Sequence, residues 1–211
     1  FWVYPHAEFQ AKACDYPAGH WNANVLPQRR MDNVGTIDAA KLESYRRVGI
    51  AVVLAAPSDG IIKGQSCVVL TGTQPLEQSL LRPTAFQHIQ LYPARRSRTY
   101  PNSPMGAVAL LRQTLSDADW YERARQTADA FPAVVAPDTN VALEHLIPIL
   151  RGKQTLVADG ANEQYALRSD RLAREFSAKL IVRGSGREYR RLDAIKQTER
   201  AFIIPVNFPD A

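Results

Sequence analysis

Paired histidines, cysteine and long apolar runs are scarce in this sequence, and each shortage removes a class of function. The four histidines, His6, His20, His88 and His145, show no HxH or HExxH spacing, so no local zinc-binding pair is written into the chain. A metal pair of His6 with His20 is weighed against surface or capping roles, and the latter is preferred. Cys14 and Cys67 are the only cysteines. Two this far apart form neither a disulfide framework nor a zinc motif, and they leave the redox compartment open. Cys67, in the apolar run Ser66-Cys-Val-Val-Leu70, is expected to be a small buried apolar residue. No apolar run reaches the roughly 18 residues that a membrane span needs. There is no GxSxG elbow, and neither cysteine sits in an activating motif. Gly60 and Gly64 are not spaced as a phosphate-binding loop and read as turn residues. The formal charge of +5 is concentrated partly in Arg95-Arg96-Ser-Arg98 and in Arg187 to Arg191. No helix-turn-helix, zinc-finger or RNP-like pattern accompanies it, so these stretches read as solvated faces and no nucleic acid is expected as a partner.

What is present is a globular α/β pattern. A hydrophobic share of 45% in 211 residues is ample for a packed core, in one domain or part of a larger one. The chain opens on Phe1-Trp-Val-Tyr, without Met and without a basic-then-apolar pattern. It is expected to be a piece of a longer protein whose first aromatic residues pack against something. Residues 1 to 35 read as irregular, with Pro5, Pro17, Gly19, Pro27 and Gly35 as breakers.

Ile37, Leu42, Tyr45 and Val48 give an apolar helical stripe, with Thr36 or Asp38 as cap and Gly49 at the C-terminal end. Ile50 to Ala56 is almost wholly apolar, as in a strand covered on both faces. Glycines bracket two short apolar runs over 59 to 72, which predicts a hairpin-like excursion. Ala85 to Leu91 reads as a strand, and His88 is placed on an edge. Ser103 with Pro104 starts a helix that continues to about Ala130. Phe131 to Asp138 is a linker. Asn140 to Leu150 reads as one helix whose last turn Pro148 bends. Strands at 155–158, 179–182 and 201–204 then alternate with helices at 162–176 and 188–196, which implies a parallel sheet. There is no internal repeat and no low-complexity tract.

In parallel α/β folds ligands bind at the C-terminal ends of strands. The residues there are Ser58, Asp59, Asp159, Asn162, Glu163, Arg183, Ser185 and Asn207. Asp159, Arg183, Asn162 and Asn207 are the candidates for the mouth of the sheet. Asp159 and Arg183 end neighbouring strands and suit a bidentate salt bridge. The bridge is preferred as structural, because a partly buried arginine usually needs a carboxylate. The alternative is that Arg183 binds an anionic ligand.

Four segments carry a resemblance: Trp21-Asn-Ala-Asn-Val-Leu-Pro-Gln28, Pro101-Asn-Ser-Pro-Met-Gly-Ala-Val-Ala-Leu-Leu-Arg-Gln-Thr114, Asp117-Ala-Asp-Trp-Tyr121 and Ile204-Pro-Val-Asn-Phe-Pro209. Over nearly the whole chain they resemble the amidohydrolase superfamily, closest to its imidazolonepropionase-like branch and to large secreted bacterial proteins with tandem amidohydrolase-like regions. The resemblance implies a metal-dependent (β/α)8 TIM barrel acting on non-peptide C–N bonds. It also implies zinc or another divalent metal held by an HxH, a carboxylated Lys or Glu, two single His residues and an Asp. Here Asp159 and Arg183 stand where the two single histidines are expected, and no HxH is present. The fold class expected is therefore α/β, a partial (β/α)8 barrel over 1–211 with a degenerate active site. No catalytic residue, no metal ligand and no cofactor are expected in this segment.

Three functions follow. One is a non-catalytic barrel segment of a larger hydrolase. A second is part of an active amidohydrolase whose ligands lie elsewhere. A third is an anion- or peptide-binding module using Arg183 and the basic stretches. Expected partners are the remaining barrel strands or a second amidohydrolase domain of the same protein, or a second copy. The location implied by the resemblance is periplasmic or extracellular.

Overall fold

A computed structural model describes residues 2–3, 19–33, 39–93, 99–205 of the chain, and the structural statements below concern these. The order begins with strand β1 (Trp2–Val3), helix α1 (Ala39–Arg47) and strands β2 (Val52–Ala55), β3 (Ile62–Gln65) and β4 (Cys67–Leu70). A short helix α2 (Leu76–Ser79) leads to β5 (Leu80–Arg82) and β6 (Phe86–Gln90). Helices α3 (Pro104–Ala130), α4 (Val141–Glu144) and α5 (Ile147–Leu150) precede β7 (Thr155–Asp159). Then come α6 (Glu163–Glu175), β8 (Leu180–Arg183), α7 (Leu192–Lys196) and β9 (Ala201–Ile203).

These strands form two sheets, ordered β1-β2-β4-β5 and β3-β6-β7-β8-β9. From β7 to β9 neighbours are parallel and consecutive, as the alternation in the last third of the sequence predicts, and β6 adds a further parallel neighbour to β7. The helices between them pack on one face. Ile89, Leu156, Ala158, Leu180 and Val182 share a buried cluster with Leu110, Leu111, Leu115, Ile149, Leu172 and Ile195 of the helices. Because side chains alternate along a strand, His88, Val157, Asp159 and Arg183 point to the other face. The sheet is open among the described residues; no closed barrel is formed.

Several expectations are corrected. β2 is not a strand of the parallel sheet covered on both faces. It pairs antiparallel with β4, and its burial alternates, because its inner side chains pack on a separate small core of Met31, Val53, Ala55, Cys67 and Val69. β3 and β4 are not a hairpin. β4 pairs with β2, while β3 pairs antiparallel with β6, so the chain changes sheet at Ser66. His88 is not on an edge, since β6 lies between β3 and β7. The helix over 140–150 is two short helices, because Pro148 in the first turn of α5 has no N–H to continue α4. Val48 is 71% exposed and lies off the apolar stripe, although Leu42 and Tyr45 do pack on the small core. Ile37, Thr36 and Asp38 lie outside the described residues.

Other local signals hold. Ser103 Oγ accepts from Gly106 N at 3.2 Å, with Pro104 in the first turn of α3. Gly49 closes α1 at φ 82°. Cys67 is fully buried and its thiol is pushed up to about 12 by burial. Cys14 lies outside the described residues.

Gly64 is a different case from the turn expected. Ile62 pairs with Ile89 and Gly64 with His88, so Lys63 is the extra residue of a β-bulge. Gly64 has φ 118°, and a Cβ there would stand 2.5 Å from the carbonyl oxygen of Arg29. Residues 24–30 run along the outer edge of β3, with Leu26 N donating to Ile62 O at 2.8 Å and Gln65 N to Arg29 O at 2.7 Å. The bulge therefore needs a residue with no side chain. Gly64→Ala is expected to lower stability by about 2 kcal/mol or more, read as a fall in the urea midpoint; an unchanged midpoint would show that the edge relaxes freely.

Candidate functional site

The bulge turns Lys63 onto the polar face of the sheet, opposite the helices. Its ammonium forms an ion pair with Asp159 Oδ2, and both side chains are 2% exposed. Asp159 ends β7 in direct register with Arg183 at the end of β8. Cross-strand partners on one face lie close enough to interact, and Arg183 Nε donates to Asp159 Oδ1 at 2.7 Å. Arg183 is the outer member, its side chain 33% exposed. Lys63 and Arg183 thus hold one carboxylate oxygen each. Three residues of β3, β7 and β8, far apart in sequence, form one ion cluster.

The surroundings set the electrostatics. Burial lowers the Lys63 ammonium from its ordinary value; the Asp159 carboxylate opposes this and the Arg183 charge adds to it. His88, on β6 between β3 and β7, is 1% exposed. Burial pushes it down to about 3, with Lys63 and Arg183 acting in the same sense and Asp159 against. It is neutral at physiological pH. Tyr92, just beyond β6, is raised by burial and further by Asp159, and its ring stands edge-on to Tyr165 at 5.3 Å.

Of the other strand-end candidates, Asn162 is a helix cap. Its Oδ1 accepts from Gln164 N at 3.0 Å and Tyr165 N at 3.2 Å, which commits it to starting α6. Glu163 has one buried carboxylate oxygen with no hydrogen-bond partner among the described residues. Ser185 bonds Glu188 through both its N–H and its hydroxyl. Ser58 donates to Asp59 at 2.6 Å, and Asp59 faces Arg29 at 3.7 Å; both lie on the link from β2 to β3, from which the Asp59 charge also favours the Lys63 ammonium. Asn207 lies outside the described residues, as do His6 and Arg95, Arg96 and Arg98. His20 Nδ1 accepts from Asn22 N at 3.1 Å, a capping arrangement, and His145 bonds the Val141 carbonyl at 2.8 Å.

The donors at the cluster do not suit a divalent cation. Two protein cations already occupy both oxygens of Asp159, and a third positive charge there would be repelled. Among the described residues no three His, Cys, Asp or Glu side chains converge on a point. Lys63 and His88 were absent from the sequence-based candidates. The only signal was a lysine between apolar residues, in Gly60-Ile-Ile-Lys-Gly64, which reads equally as a solvated turn.

The buried neutral imidazole has a consequence for stability. His88 takes up a proton on unfolding below pH 6.5 but, folded, only near pH 3. The contribution of the neutral imidazole is therefore fully present above pH 6.5 and is lost as pH drops from there towards 3. Urea titrations from pH 7 to 4 are expected to show this loss in the wild type and a flatter acid limb in His88→Gln; parallel curves would exclude His88 as the cause.

No protein-family model matches this sequence, and no curated protein matches it at the level that marks a relative. Among solved structures, the fold is similar to an amidohydrolase from Thermotoga maritima MSB8, with a TM-score of 0.74 at 16% identity. The likeness covers 87% of this chain and 49% of that one, so the chain spans about half the length of the structure it matches. The chain therefore has a mixed α/β fold similar to that of this solved structure.

Proposed function

We propose that this chain is an arc of a hydrolase-type (β/α)8 barrel in which a protein ion cluster stands where a metal centre would be, so that the segment is a scaffold and not a catalyst. The observation that carries the reading is the double engagement of Asp159 by Lys63 and Arg183. The parallel order β6-β7-β8-β9 with helices on one face supports the barrel arc. The resemblance to the imidazolonepropionase-like branch and to tandem secreted proteins belongs to the same proposal. So does a partner in further barrel strands, a second such domain or a second copy. Among the described residues no strand pairs with the outer edge of β9, and Ile204 beside it is 73% exposed, a surface suited to such pairing.

A second reading has one fact in its favour. The chain spans 49% of the solved amidohydrolase, so an active centre completed by residues outside this stretch is a competing proposal. Metal analysis and assays with amide and cyclic-amide substrates separate the two. On the first reading the purified chain holds no stoichiometric zinc and no activity; stoichiometric zinc with amidase turnover would overturn it.

The cluster itself makes a stability prediction. Asp159→Asn deprives Lys63 and Arg183 of their carboxylate inside the sheet and is expected to cost about 3–5 kcal/mol. Replacing all three together by Lys63→Met, Asp159→Leu and Arg183→Leu is expected to recover most of that loss, because an apolar set of similar volume leaves no uncompensated charge. Denaturant unfolding of the two variants checks this; a triple variant as unstable as the single one would mean the charges do more than fill the space.

A further inference from the structure

The geometry points to a binding groove for a small amphipathic anion, an apolar body carrying one carboxylate, on the outer surface between α3 and α6. The groove is a cavity of about 770 Å³, within the usual range for small-ligand sites. It lies on the helical side of the sheet, and its residue Tyr165 stands edge-on to Tyr92, which borders the ion cluster. Its base is apolar, formed by Val108 and by Leu172, which is 3% exposed, with Tyr165 as a wall. Met105 forms the lip and is 82% exposed, an unusual position for a large apolar side chain in a helix's first turn.

The rim is cationic. Arg168 and Arg171 line the cavity, and neither forms an ion pair with a described residue. Arg168 lies over the face of Tyr165, 5.1 Å from the ring centre. The stacking restricts the side chain, so less order is lost when the guanidinium takes an anion. Arg112, the third arginine of the lining, is already committed to Glu175 at 2.7 Å and closes the far end.

Dimensions select the occupant. From Met105 to Arg112 the groove follows α3 for two turns, about 10 Å at the helical rise. That is too short to seat a partner helix and long enough for a medium-length alkyl or aryl group. An apolar base with two guanidinium groups at one side, neither ion-paired with a described residue, fits an apolar carboxylate, since arginine pairs with carboxylates in a bidentate manner. A purely apolar ligand would leave the arginines unused, and a small hydrophilic anion would leave the apolar base wet.

Isothermal titration of the full chain with octanoate tests the proposal, with acetate and octan-1-ol as probes of each half of the chemistry. Saturable octanoate binding is expected at one site, with acetate and octan-1-ol each weaker by about tenfold or more. The double variant Arg168→Ala and Arg171→Ala, both exposed positions, is expected to lose about tenfold or more in octanoate affinity with an unchanged far-ultraviolet dichroism spectrum. Met105→Glu, also exposed, is expected to weaken octanoate by placing a like charge at the lip. Absence of saturable octanoate binding at millimolar probe, octan-1-ol binding as tightly as octanoate, or unchanged affinity in the double variant would each overturn it.

Discussion

A single carboxylate, that of Asp159, is the constraint on which the polar side of this molecule depends. An isolated ionised group is costly inside a protein, and Lys63 is as deeply buried as Asp159. Each is tolerable there only because the other is present, with Arg183 taking the second oxygen. The three side chains tie β3 to β7 and β8 across the intervening β6. The antiparallel edge strand is thereby joined to the parallel set by charge as well as by its ladder to β6. Such a cluster contributes less to net stability than its short contacts suggest, because desolvation offsets the attraction; its larger consequence is that removing one member is costly.

The arrangement rests on backbone features that carry no charge. The bulge at Lys63 re-aims a side chain, and it exists because Gly64 can adopt φ 118° against the passing backbone of Arg29. The direct register of Asp159 with Arg183 supplies the other half. The two faces of the sheet then divide the tasks. One carries the apolar packing against α3, α5, α6 and α7, which supplies most of the hydrophobic stabilisation. The other carries His88, Asp159, Arg183 and Lys63. The groove between α3 and α6 opens from the helical layer, with Leu172 of that apolar core in its lining.

Much of the last half was legible in the residues. The Ser103-Pro104 helix start and the strands ending at Asp159 and Arg183, like the earlier Gly49 helix end, rest on interactions within a few residues of each other, and propensity and spacing read those well; Asn162, expected at the mouth of the sheet, is instead a cap. The Asp159–Arg183 pair followed from two adjacent parallel strands of known ends. The first half was less legible. The runs Ile61–Ile62 and Cys67–Leu70 look like partners in a hairpin, yet they belong to different sheets. Apolar strands report that they are buried, not which neighbour they pair with. His88 reads as an edge residue because nothing local marks β6 as having strands on both sides.

The sequence by itself determined the alternation of parallel strands and helices from β7 onward, the Ser103 start and Gly49 end of two helices, the absence of a paired-histidine motif and the opposite charges at two neighbouring strand ends. Those are short-range facts, written in periodicity and in residue type. Only the tertiary structure decided that Lys63 meets Asp159, that His88 is held neutral between them, and that the chain splits its early strands between two sheets. Each of these depends on residues separated by tens of positions, brought together by a bulge and a sheet order that no local pattern encodes.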